Sequence, residues 1–465
     1  MQRRLRRAAV AGLAACLVFP AAALVALGAS PSPHAHASAA GPVKLSSPAA
    51  ELRVALDRLL AEHAFLTIEQ MRSGLIGAAD FAAAAAAVEQ NSTEIAESIG
   101  SIYGDAATEP FGEIWRSHIG YLVDYAVALG NGDSGAQQTA LEGLAVYRAN
   151  LKQFLADANP GVNLAGISDA LDMHTAQLVE FIRAVDRGDH AAAYDIEREA
   201  YPHMFEVGDA LAKVIANKYP DRFTGLDVAY SAAGSLRVTL DRLLGEHAFL
   251  AAEAMRSGVS DAPDFDAGRD AIDANAADLA AVVGAAYGEE AGAAFRTLWD
   301  GHVLGYYAYI EATRSNDNEA RAQATAQVGQ YVDQLVLFLT GANPELDAGA
   351  LAALFNDHVG HLTGQVEAFA ASDYDRTYDL VRAGYRHMFT AGEALAIGIA
   401  TQMPDAFPAD VPAPDTDTDP HAGPGDAPNR AIVVGVLALL IGLALAPGVV
   451  LWIAYRRQRD HRGTT

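Results

Sequence analysis

Eight histidines recur at one fixed spacing. His63 pairs with His247, His118 with His302, His174 with His358 and His203 with His387, each 184 residues apart. Their neighbours give the spacing its chemical interest. His118 falls in the series Phe111, Trp115, His118, Leu122, Tyr125, and His302 in Phe295, Trp299, His302, Tyr306, Tyr309. His174 lies among Ile167, Leu171, Leu178 and Ile182, His203 among Ile196, Ala200, Val207 and Leu211, and His63 among Leu56, Leu59, Leu60 and Leu66. Offsets of three, four and seven share one helix face, so all four imidazoles of a set point toward a core from four different helices. Asn91 and Asn275 occupy apolar stripes as well, and Glu62 and Glu246 directly precede the first histidine of each set. Polar groups left unpaired in a core cost about 1–3 kcal/mol each, and a bound metal satisfies several at once. Imidazoles with a carboxylate suit copper, zinc or iron, and a helical bundle can bring them together from facing helices. The candidate ligands are His63, His118, His174, His203, His247, His302, His358 and His387. Glu62 and Glu246 join them as ligands or as groups that orient one, giving one transition-metal site per set.

Other readings stay open at this stage. Each histidine could be a satisfied core group in a non-catalytic interaction or structural module, with Glu62 paired to Arg58 one turn back. Two axial histidines could hold a haem, and histidine charging could act as a pH switch. Positions three before the histidines are Leu60, Trp115, Leu171 and Ala200, which excludes the Glu-x-x-His pair of di-iron bundles. Positions four after them are Thr67, Leu122, Leu178 and Val207, and HExxH, GxSxG and a phosphate-cradling glycine loop are missing too. No nucleophile sits beside a base, so nothing supports an enzyme. His190 and His361 have no partner at the repeat spacing.

The elements that position these groups are written twice. Residues 52–75 match 236–259 at 18 of 24 positions, and Leu52 to Phe223 aligns with Leu236 to Phe407 without a gap. This is a tandem duplication, with a unit over 48–226 and another over 232–407. The signals are helical throughout, so the expected class is all-α with two tandem six-helix bundles. In the first unit the helices are expected near 48–73, 80–102, 107–129, 134–157, 164–186 and 190–217. Asp80 and Asp264 are expected as N-caps, and Asn-Pro at 159–160 and 343–344 should stop the fourth helix. A weaker spacing near 84 residues, linking His63 to Tyr147, Asn91 to His174 and His118 to His203, suggests that each unit is two pseudo-symmetric three-helix halves.

Composition limits the partners. The 465 residues hold 32 basic and 58 acidic side chains, a net charge of −26. Several of the basic residues stand at the two ends (Arg3, Arg4, Arg6, Arg7, Lys44, then Arg456, Arg457, Arg459 and Arg462), so the part between is more acidic still. Such a body does not neutralise phosphates, which excludes nucleic acid. Cys16 is the only cysteine, which excludes disulfides and thiolate zinc sites, and seven methionines are too few for a methionine-rich copper carrier. Residues 1–39 read as a signal peptide: four arginines, an apolar run and an Ala-His-Ala-Ser-Ala cleavage stretch. Residues 431–455 form an uncharged apolar run long enough to cross a bilayer, ending in Trp452 and Tyr455. The arginine-rich tail 456–465 behind it places that end in the cytoplasm. Residues 408–430, with six prolines and five aspartates, read as a stalk. The expected arrangement is a single-pass cell-membrane protein with an extracytoplasmic body.

The order of motifs is EHAFL, DF, YG, F-x-x-x-W-x-x-H, NP, H and Y-x-HM in both units. It resembles a group of secreted or surface-attached helical-repeat proteins of Gram-positive bacteria, some of which carry copper-related labels. The resemblance covers about residues 48–407 and implies an exported helical repeat with a tilt toward copper. It brings no ligand set or catalytic residues with it.

Overall fold

The computed structural model describes residues 43–162 and 164–408. The expected signal peptide, the membrane segment, the cytoplasmic tail and nearly all of the stalk lie outside these residues. Among the described residues the chain is all-helical, and no helix is long and apolar enough to cross a membrane.

The first repeat contains α1 (Pro48–Ile76), α2 (Phe81–Tyr103), α3 (Thr108–Gly130), α4 (Ser134–Ala158), α5 (Ala165–Asp186) and α6 (His190–Lys218). A short connecting helix, α7 (Leu226–Ala229), precedes the second repeat. That repeat contains α8 (Ala232–Val259), α9 (Phe265–Tyr287), α10 (Glu289–Arg314), α11 (Asn318–Ala342), α12 (Ala348–Ala370) and α13 (Tyr374–Gln402). Local chemistry sets many of the boundaries. Ser47, Asp133, Asp189, Ser231, Asp317, Asp347 and Asp373 accept backbone N–H groups with their side chains at helix starts. Pro48 occupies the first turn of α1, where its missing N–H is harmless. The fourth helices end at Ala158 and Ala342, as the Asn-Pro pairs require. The asparagines also tie these ends down: Tyr103 donates to Asn159 at 3.1 Å, and Asn343 donates to Tyr287 at 3.2 Å. The YG and NP motifs are therefore two ends of one contact.

Asp80 and Asp264 stand at N-cap positions but cap nothing. Asp80 instead accepts from Ser73 at 2.9 Å and from Tyr378 of the other repeat at 3.2 Å, while Asp264 pairs with Arg256. These tertiary partners, Ser73 and Tyr378 at Asp80 and Arg256 at Asp264, engage the carboxylates in place of the cap. The expected three-helix halves are also not followed in the packing. Helix α1 packs on α3, but their counterparts α4 and α6 share no comparable contact.

Helix α1 is the centre of its repeat, packed on α2, α3, α5 and α6, and α8 plays the same part against α9, α10, α12 and α13. The repeats meet through α1, α2 and α6 on one side and α8, α9 and α13 on the other. The helix pairs that meet there have images 184 residues on, α2 with α13 and α9 with α6, α1 with α13 and α8 with α6, the mark of a pseudo-twofold axis. Residues stack on their own counterparts along it: Phe65 on Phe249 at 3.8 Å and Phe205 on Phe389 at 6.3 Å. The hydroxyls of Tyr201 and Tyr385 lie 3.3 Å apart.

Candidate metal centre

Helices α1, α3 and α5 pack against one another, and each turns one histidine into their shared core. His63, His118 and His174 each offer a ring nitrogen to one group whose atoms all lie within 4.8 Å of one another, and His247, His302 and His358 do the same in the second repeat. The six imidazoles are buried, and no carboxylate or thiol shares either group among the described residues. Ring centroids are 5.0, 5.8 and 6.4 Å apart in the first repeat and 5.7, 5.7 and 6.0 Å apart in the second. Nitrogens bound to one ion at about 2.0 Å lie roughly 3.3–3.5 Å from each other. Closing the group on an ion therefore takes movements of about 1 Å per ring or less.

Aromatic walls set the rings. Trp115 and Trp299 lie 4.7 and 4.9 Å from His63 and His247. Tyr147 and Tyr331 stack on His118 and His302 at 4.4 and 4.5 Å. These side chains fill the space on which a porphyrin between two of the histidines would depend.

Burial holds the imidazoles neutral. It is the leading cause in each case, pushing His118 and His247 down to about 3 and His302 to about 4, and lowering His63, His174 and His358 well below the usual range. Neighbouring imidazoles add to the effect at His63, His174, His247 and His358. A neutral ring keeps one lone pair, which is what a metal needs. Hydrogen bonds fix some of the tautomers. His118 Nδ1 faces the Trp115 carbonyl, which only accepts, so Nδ1 carries the proton and Nε2 the lone pair. His63 Nε2 lies 3.0 Å from that Nε2 and must donate to it, which leaves His63 Nδ1 bare. His63 Nδ1, both nitrogens of His174, His247 and His358, and His302 Nδ1 are buried without a hydrogen-bond partner.

Four expected ligands lie elsewhere. His203 and His387 donate from Nε2 to the carbonyls of Ala170 and Leu354, each at 2.8 Å, so they belong beside the triads and not in them. Glu62 and Glu246 face the other repeat. Glu62 accepts from Arg382 at 3.0 Å and from Asn91 at 2.9 Å; Glu246 accepts from Arg198 at 3.0 Å and from Asn275 at 2.8 Å. Arg58 is not the partner of Glu62. The acids serve the interface, and the signal that could have found this is an arginine kept at 198 and 382, three residues before each Y-x-HM motif. Arg72 with Glu253 and Arg256 with Glu69 form a second mirrored set of buried ion pairs.

No protein-family model matches the chain, and neither a curated protein nor a solved structure resembles it significantly. The reading of the site therefore rests on its own geometry.

Proposed function

We propose that each repeat holds one transition-metal ion between three imidazoles, and that the chain captures or buffers that metal from a membrane-tethered, extracytoplasmic body of two six-helix units. One observation carries this reading. In both repeats three neutral imidazoles from three separate helices converge in a buried, carboxylate-free core that leaves several of their nitrogens without any partner. A core maintained only by packing has no reason to keep such groups twice. Export and tethering are read from residues 1–39 and 408–455, and the resemblance to surface-attached helical repeats agrees with them.

Charge favours copper(I) among the candidates. The three ligands are neutral and no acid shares the point, so an ion keeps its full charge in a dry interior. The desolvation penalty grows with the square of that charge, and a monovalent ion carries about a quarter of the penalty of a divalent one. Zinc would also ask for a fourth ligand. One contact favours the packing alternative: in the first repeat His63 and His118 bond to each other at 3.0 Å. No such bond joins His247 and His302 among the described residues, so that alternative explains one repeat only.

The test is elemental analysis of the dialysed full-length chain by plasma mass spectrometry, beside His118→Ala and His302→Ala. About two equivalents of one metal in the parent and about one in each variant are expected. No retained metal, and no rise in melting temperature when copper(I), zinc, iron or nickel is added, would return the histidines to core packing.

A further inference from the structure

The second repeat carries a histidine that the first lacks. His361 stands one turn after His358 on α12, at the position of Gln177, and its ring lies 5.6 Å from that of His387 on α13. His387 is fixed by one nitrogen only. Its Nε2 donates to the Leu354 carbonyl, so Nε2 holds the proton and Nδ1 keeps a lone pair with no hydrogen bond among the described residues. His203 makes the equivalent bond to Ala170, but its Nδ1 lies 3.4 Å from Glu206. The position of Glu206 is Thr390 in the second repeat. One repeat thus sets a carboxylate against this histidine, and the other sets a second histidine beside it.

The pair is nearer to solvent than the triad. Asp357 is exposed, His361 and His387 are half-buried, and His358 is buried. His387 and His361 are both close enough to His358 to disfavour its protonation, and Asp357 is close enough to His361 to favour charge there. Chemistry and depth run together: an acid at the outside, two imidazoles at the rim, three imidazoles in the core. In the first repeat the positions of Asp357 and His361 are Met173 and Gln177, and that sequence of donors is missing.

We propose that His361 and His387, with Asp357 at the outer edge, form a receiving site that takes copper(I) at the surface and passes it to His358. The proposal rests on the triads being metal sites. In the transfer a bond from the ion to His358 forms as one to His387 breaks, and no electron moves. Two imidazoles hold the ion less tightly than three, so transfer runs inward. The consequence is kinetic asymmetry: the second repeat loads through a route that the first does not have.

The test uses the metal-free full-length chain mixed in stopped flow with copper(I) supplied as its coloured bicinchoninate complex, with loss of colour following transfer. His118→Ala and His302→Ala assign the phases, since each leaves one repeat to load. His361→Gln, which installs the residue of the first repeat, should slow the second-repeat phase on the order of tenfold. The first-repeat phase in the same molecule and the final stoichiometry should stay unchanged. The reciprocal variant, Gln177→His with Glu206→Thr, should accelerate the first-repeat phase. Unchanged rates in both variants would overturn the receiving site while leaving the triads intact. Loss of one equivalent in His361→Gln would overturn it too, by making His361 a resident ligand. No transfer to the parent chain at all would remove the metal reading and this proposal together.

Discussion

Acidification should destabilise this fold well above the pH at which ordinary carboxylates titrate. The cause is the set of buried neutral imidazoles. His118 and His247 are held near 3 and His302 near 4, against 6.5 for an ordinary histidine. A group whose folded pKa is depressed takes its proton first in the unfolded chain, so its contribution is present above 6.5 and is lost as pH falls toward the folded value. Between pH 7 and pH 5 each of these three histidines costs about 2 kcal/mol of stability, about 6 kcal/mol together. Glu197 works the other way. Burial raises it to about 7 from 4.5, so the folded chain takes up its proton first and regains about 2 kcal/mol over the same interval. Asp57 and Asp241, raised by burial, act in the sense of Glu197, while His63, His174 and His358 act with the other histidines. The net loss is several kcal/mol, a large part of the roughly 5–15 kcal/mol that holds a typical domain together. Guanidinium unfolding of the metal-free chain, followed by far-ultraviolet circular dichroism at pH 7 and pH 5, reads it directly. His302→Gln, which cannot titrate, should shrink the difference between the two pH values by about 2 kcal/mol, whatever it does to stability at pH 7. Equal pH dependence in parent and variant, or a chain more stable at pH 5, would refute the reasoning.

Packing within and between the repeats makes further predictions. Arg382→Met leaves the fully buried Glu62 carboxylate with Asn91 and only the more distant, partly exposed Arg386 at 3.9 Å, and should cost about 3–5 kcal/mol in denaturant melts, with part of the loss recovered in the double variant with Glu62→Gln. Gly392→Ala should destabilise by about 1–3 kcal/mol, because its new methyl group meets the Asp241 carboxylate and backbone; this outweighs the gain of about 1 kcal/mol in helix propensity. Phe249→Ala removes a ring stacked on both Phe65 and Tyr385 and should cost about 3–5 kcal/mol, measured the same way.

What could be read in the sequence was what helical periodicity carries. Stripes at three and four residues placed the histidines on core faces, and doubling of the pattern placed the helices within a few residues of their ends. Periodicity says that a side chain points inward but not at what. His174 and His203 sit on stripes of the same quality, yet one reaches the triad and the other ends on the Ala170 carbonyl. Glu62 shows the second gap. It adjoins His63 in the chain, but neighbours on a helix diverge by about 100°. His63 turns into its own repeat while Glu62 turns to the other, where its cation is 320 residues away. A contact that distant leaves no local trace in one chain. Only the shared arginine at 198 and 382 hints at it.

Fusion explains why the pairs on the axis are mirrored while the rims are not. On a twofold axis a residue meets itself, so Phe65 on Phe249 and Tyr201 against Tyr385 keep pairs that are compatible with their own image. In a dimer of separate copies, every change would appear at both sites. Joined in one chain, the copies can differ wherever a residue does not meet its own image, as at Arg386 and Pro202 at the edge of the interface. They do differ at Gln177 and His361, at Glu206 and Thr390, and at Met173 and Asp357, all of them around the mouth of the site and none in the triad. The triads and the axis are what both halves need. On the metal reading proposed above, the rims are where the duplicated chain can give its two sites different rates of exchange, a separation that no symmetric dimer of the same bundle could make.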